Sequence, residues 1–164
     1  MRLIMALTLG VVISLSTSAA AQEPRIYLFW AQSCPYSQAA RAFLLKQQEH
    51  DPKMELVAFE TEGSLFHSVL LARLFEKVGL PGFTAVPSIV VGTNITIGFI
   101  DGPTTGEAVM ENLATCRKNG CREVIESLLE EINGPEQVAS LARPEAIARL
   151  SPKCSPTVQV KSMP

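Results

Sequence analysis

The residues best suited to chemistry in this chain are its four cysteines, Cys34, Cys116, Cys121 and Cys154. Cys34 stands in Gln32-Ser33-Cys34-Pro35-Tyr36-Ser37, between an apolar run and a helical pattern. Pro35 suits the first position of a helix, where a missing N–H costs nothing. Cys34 then falls at a helix N-terminus, where unpaired backbone N–H groups and the positive end of the helix dipole stabilise a thiolate. Such a setting brings a cysteine pKa from about 8.5 into the range of roughly 3.5 to 7.5. Because the thiolate is the attacking species in disulfide exchange, Cys34 is the candidate nucleophile. The competing reading, a buried inert thiol, fits less well, since this cysteine lies among polar residues.

Other residues bear on that sulfur. Ser37 follows Cys34 by one helical turn, so its hydroxyl faces back toward the helix start and can donate to the thiolate. Val86-Pro87 opens a β-rich run, where proline fits only if its N–H is not needed or its bond is cis. A cis bond leaves the Val86 N–H and C=O to pair with an extended peptide or a glutathione backbone; the other reading is a trans proline ending a loop. Cys116 and Cys121 enclose Arg-Lys-Asn-Gly, a spacing that closes a small structural disulfide between two helices. A redox pair resolving Cys34, or two free thiols, are the alternatives. Cys154, in Ser151-Pro152-Lys153-Cys154-Ser155-Pro156, is the remainder: on a mobile tail it reaches Cys34 or another molecule, or it is an incidental exposed thiol. With no Cys-x-x-Cys pair and no histidine beside a cysteine, no metal site is expected.

The elements that must position these groups follow from patterning. Arg25 to Trp30 is apolar at successive positions, as in a strand buried on both faces of an α/β sheet. Ala39, Ala40, Phe43 and Leu44 mark a helix closed by Pro52, and Met54 to Glu60 a second strand. Leu71, Leu74, Phe75 and Val78 mark a second helix stopping at Gly79. Pro87 to Val91 and Ile95 to Ile100 form a hairpin about Gly92-Thr93-Asn94. Thr104 with Glu107 reads as a capping box opening a third helix, and Val124, Ile125, Leu128, Leu129 and Ile132 as a fourth beyond Gly120. From Gly134 the prolines at 135, 144, 152, 156 and 164 indicate a loosely attached tail with one short helical candidate, Pro144 to Leu150.

Composition bounds the rest. A length of 164 residues suits one domain, and 47% apolar residues exclude a disordered chain. A net charge of −2 gives no basic footprint for nucleic acid. Arg2, the apolar run Leu3 to Leu15 and small Ala19 and Ala21 read as a secretory signal peptide over 1–21, cut after Ala21. The run is shorter than the roughly 20 residues a membrane span needs, and no later run approaches that length. The expected organisation is a signal peptide, a domain over 22–133 and a proline-rich tail over 134–164, in a periplasmic or secreted compartment that permits disulfides.

Phe29-Trp30 followed by Cys34-Pro35-Tyr36-Ser37, then Ala85-Val86-Pro87, then Val91-Gly92 through Ile97-Gly98-Phe99 together resemble the thioredoxin superfamily over about residues 25 to 117. Cys-Pro-Tyr with Val-Pro and the later Gly and Asp101 looks most like glutaredoxins. Trp30, the secretory signal and the Cys116/Cys121 pair look more like thioredoxin-like domains of bacterial periplasmic electron transfer. The resemblance implies an α/β thioredoxin fold, a central mixed sheet flanked by helices, extended here by a C-terminal helix and a loose tail. It implies a reactive Cys34, a cis Pro87, and substrate contacts at Pro35, Tyr36 and Val86.

Two departures stand out. Ser37 replaces the family's second cysteine, which leaves a monothiol site; and Ala31 and Phe99 replace a glutaredoxin lysine and glycine, which weakens recognition of glutathione. The expected activity is extracytoplasmic thiol–disulfide exchange through Cys34, with protein thiols or disulfides as partners and a membrane-bound electron donor as a further one. No cofactor is expected, glutathione entering only as a co-substrate. The rival is a redox-inactive peptide-binding or chaperone module of the same fold.

Overall fold

A computed structural model describes residues 23–132, 152–156 and 159–162. The segment 1–21 read as a signal peptide and the helical candidate Pro144 to Leu150 lie outside the described residues.

The continuous apolar run becomes β1 (Arg25–Trp30), in which Ile26, Tyr27, Leu28 and Phe29 are all at most 2% exposed. A strand can be that apolar only if both faces are covered. β1 pairs in parallel with β2 (Glu55–Glu60), from Arg25 opposite Glu55 to Trp30 opposite Glu60. On its other side it pairs antiparallel with β4 (Ser88–Val91), which turns through Gly92 into β5 (Asn94–Ile97). The parallel step requires a crossover, supplied by α1 (Pro35–His50).

Alternation along β1 sorts the core into two layers. Ile26 and Leu28 meet Ala40 and Leu44 of α1 and Val109 and Leu113 of α3 (Glu107–Asn119). Tyr27 and Phe29 meet Leu70, Leu74 and Phe75 of α2 (Leu65–Lys77) and Ile125 and Leu128 of α4 (Val124–Ile132). Each fully buried Leu or Phe contributes about 1.5 to 3 kcal/mol. The result is a mixed sheet flanked by helices on both faces.

Three expectations need correction. α3 is not opened by a Thr104 cap: Asp101 accepts hydrogen bonds from the Thr104 backbone N–H at 2.8 Å and the Thr104 hydroxyl at 2.6 Å, and a π-helical turn, Gly102–Gly106, precedes the helix. In α1 the buried stripe is Ser37, Ala40 and Leu44, while Ala39 is exposed. The described parts of the tail are not loose. Lys153–Cys154 forms β6, parallel to β3 (Ala85–Val86), and Gln159–Ser162 forms β7, antiparallel to β5, giving the main sheet the order β2-β1-β4-β5-β7. Strand pairing with distant partners overrode the local proline signal.

The Cys116–Cys121 disulfide forms as the spacing suggests. It lies against the hairpin turn: a Cβ at Gly92 would fall 2.7 Å from Cys121 Sγ and 3.0 Å from Cys116 Sγ, and Gly92 has φ +60°. The Val124 N–H donates to the Gly92 carbonyl at 3.3 Å, so hairpin, disulfide and the start of α4 share one junction. Gly92→Ala should therefore destabilise the protein by about 2 to 4 kcal/mol, a left-handed backbone and overpacking acting together. Gly79→Ala is the control, because φ is +75° there but nothing lies within 4 Å. It should cost only about 1 to 2 kcal/mol. Urea unfolding midpoints of the two variants measure the difference.

Candidate functional site

The site lies where β1 ends and α1 begins. The Cys34 N–H donates to the Ala31 carbonyl at 3.2 Å, a tight turn that places Cys34 at the N-cap with extended backbone (φ −94°, ψ 113°) and Pro35 next. No side chain caps this helix, so its first N–H groups are left for the sulfur and its surroundings. Cys34 is nevertheless 1% exposed. Its Sγ lies 3.7 Å from the Val86 carbonyl oxygen and is joined to Cys154 in a disulfide whose Cα atoms are 5.5 Å apart. The Val86–Pro87 bond is cis.

The backbone edge before Pro87 is occupied. The Lys153 N–H donates to the Thr84 carbonyl and the Ser155 N–H to the Val86 carbonyl, both at 2.9 Å. Lys153 Nζ stands 5.7 Å from the centre of the Phe83 ring, a cation–π contact that steadies the strand. Val86 thus receives an extended segment carrying a cysteine, and that segment is the chain's own. Of the remaining sequence candidates, Tyr36 is half-buried against the α2/α4 layer of the core, and Pro35 is exposed beside the sulfur. Cys116 and Cys121 are bonded to each other, not to Cys34.

Ser37 is fully buried, and its hydroxyl has no hydrogen-bond partner. An unsatisfied buried hydroxyl costs about 1 to 3 kcal/mol. It stands one turn from Cys34, where a disulfide sulfur accepts only weakly and a thiolate would be a much stronger acceptor for a hydrogen bond donated by the hydroxyl.

A cavity of about 410 Å³ opens beside the disulfide, lined by Ala31, Ser33, Thr61, Glu62 and Ser68 together with Cys34, Val86 and Cys154. Sequence reasoning missed Glu62, which comes from the turn after β2. Its carboxylate accepts from the Ser33 hydroxyl and from the Ser33 N–H, the latter at 3.0 Å. Those two bonds, the hydroxyl first, hold its pKa below the usual glutamate range. The sign follows: the clip between the two turns is intact above the ordinary glutamate pKa and loosens as pH falls through the lowered one. No local pattern marks Glu62, because its partner lies on another element.

Comparison with family models, curated proteins and solved structures gives no match in any of the three. No helix among the described residues is long and apolar enough to cross a membrane.

Ser37→Ala separates the two oxidation states. In the reduced protein the pH at which Cys34 becomes readily alkylated should rise by about one to two pH units, the equivalent of one hydrogen bond to a charged acceptor. In the oxidised protein the same change removes an unsatisfied hydroxyl and should leave thermal stability equal or higher. A fall in oxidised stability with no change in alkylation would make Ser37 a packing residue only.

Proposed function

We propose that this chain is a thiol–disulfide exchange protein of an oxidising, extracytoplasmic compartment, built on a thioredoxin-like α/β fold, with Cys34 as the exchanging sulfur. The observation that carries the reading is the disulfide between Cys34, at an uncapped helix start, and a cysteine on a strand held by the Thr84 and Val86 carbonyls. That arrangement has the geometry of a mixed disulfide with an extended peptide: backbone pairing gives affinity, and the sulfur meets the cysteine presented by the strand. The helix N-terminus supports Cys34 as thiolate and as leaving group, since a thiol of lower pKa leaves faster. Two disulfides among the described residues agree with an oxidising compartment. Substrates on this reading are polypeptides presenting a cysteine in extended conformation, with glutathione or another small thiol closing the cycle.

The test is catalysis. The full mature chain and its Cys34→Ser variant are mixed with dithiothreitol and a fluorescent peptide disulfide, and the rate of peptide release is followed. The wild type should accelerate exchange at least about tenfold, a barrier change near 1.4 kcal/mol, while Cys34→Ser stays at the uncatalysed rate. If the wild type is also at the uncatalysed rate while Cys34→Ser binds the peptide as well as wild type does, the chain is a peptide-binding module instead.

A further inference from the structure

We propose that Cys154 is the resolving cysteine of Cys34, carried on an arm whose segment Pro152 to Ser155 takes the place of the substrate strand in the oxidised protein. This rests on the exchange reading above and adds a second reacting sulfur to it. Ser37 leaves no second cysteine in the first turn of α1, and Cys116 and Cys121 are committed to each other. Cys154 alone is bonded to Cys34, across a sequence separation of 120.

The arm has two parts of unequal hold. Apart from the disulfide, β6 is a two-residue strand held by one N–H on each of the Thr84 and Val86 oxygens and by the contact of Lys153 with the Phe83 ring. β7 is a four-residue strand on β5, with Asn94 opposite Ser162 and Ile97 opposite Gln159. The Ser162 hydroxyl adds a 2.8 Å hydrogen bond to the Asn94 side chain. When the disulfide opens, β6 can leave while β7 stays. A short linker then keeps Cys154 near Cys34 at an effective concentration in the millimolar range. Arm and substrate cannot hold the Val86 edge together, so departure of β6 admits the substrate and its return ejects it.

The chemistry balances. In the reduced protein the Cys34 thiolate attacks one sulfur of a peptide disulfide; the substrate S–S bond breaks, and the other substrate sulfur leaves as a thiolate that takes a proton from water. The Cys154 thiol then gives its proton to solvent and attacks Cys34 Sγ. That breaks the mixed disulfide, releases the second substrate thiolate and forms the Cys34–Cys154 bond. The substrate disulfide gains two electrons and becomes two thiols, and the protein dithiol loses two. A dithiol substrate runs the same steps in reverse.

The experiment is a single turnover of the reduced full chain with a cysteine peptide capped as its glutathione disulfide, quenched with acid and mapped by mass spectrometry. Wild type should show a Cys34–peptide adduct only briefly before the Cys34–Cys154 bond appears. Cys154→Ser and, as a second variant, Cys154→Ala should hold the adduct at least about a hundredfold longer. Val160→Pro combined with Lys161→Pro, which removes the two central N–H groups of β7, should lengthen its life about tenfold or more while Cys154 is still present. Clearance from both Cys154 variants as fast as from wild type overturns the proposal. So does clearance whose rate rises with protein concentration and yields covalent dimers, because the resolving sulfur then comes from another molecule. If the Cys154 variants form no adduct at Cys34 at all, the exchange reading itself falls, and this inference with it.

Discussion

Burial of β1 on both faces is the constraint from which the rest of the molecule follows. A strand whose four central residues are sealed from water needs a helix layer on each side, and α1 with α3 covers one face while α2 with α4 covers the other. The parallel pairing of β1 with β2 requires a crossover, and α1 supplies it, beginning at Pro35 soon after β1 ends at Trp30. The turn at Ala31 to Cys34 is therefore short, and the sulfur's position is set by the core rather than by a loop. A reactive group held in this way keeps its relation to the Val86 edge, because both are extensions of adjacent strands, β1 and β4.

What was legible in the sequence was what local periodicity and punctuation encode. The unbroken apolar run of β1, the turn at Gly92, the stop at Gly79 and the restart beyond Gly120 each leave a mark within a window of a few residues, and each falls where the pattern places it. The Cys116–Cys121 bond was legible for the same reason, its partners lying five positions apart. The tail was not. Its prolines were visible, but β6 and β7 are specified by partners in β3 and β5 far earlier in the chain, and their own side chains are largely exposed. Val160, at 56% exposed, offers no burial signal. A hint survives in the β-prone run Thr157-Val158-Gln159-Val160 between prolines.

At the candidate site the sequence marked the helix start at Cys34 and the cis bond at Val86-Pro87 and was incomplete elsewhere. Ser37 was identified by its spacing from Cys34, yet its burial was not, because a serine in the stripe of Ala40 and Leu44 breaks the apolar pattern that marks a buried face. Polar residues at apolar positions are where sequence logic is expected to fail and where chemistry is most often found. Glu62 escaped notice for a different reason: it acts only through its hydrogen bonds to Ser33, a contact between two turns that no window of sequence contains.

On the exchange reading, moving the second sulfur from the helix to a tail changes what the site can do. A resolving cysteine inside the first turn of α1 would be beside Cys34 in every state and would compete with every substrate at a fixed advantage. On a strand that occupies the substrate's own backbone edge, the resolving sulfur arrives only as the substrate strand departs. Release of product and closure of the disulfide then become one event, with the Thr84 and Val86 oxygens passing from one strand to the other without being left unpaired. The Ser37 hydroxyl, unpaired in the oxidised protein, fits the same cycle from the opposite side if the Cys34 thiolate of the reduced protein accepts its hydrogen bond. Its cost weighs on the oxidised form, against the hydrogen bonds of the docked arm. A docked arm stabilises one state and a buried hydroxyl the other, so neither the closed disulfide nor the open thiolate holds all of the site's favourable contacts at once.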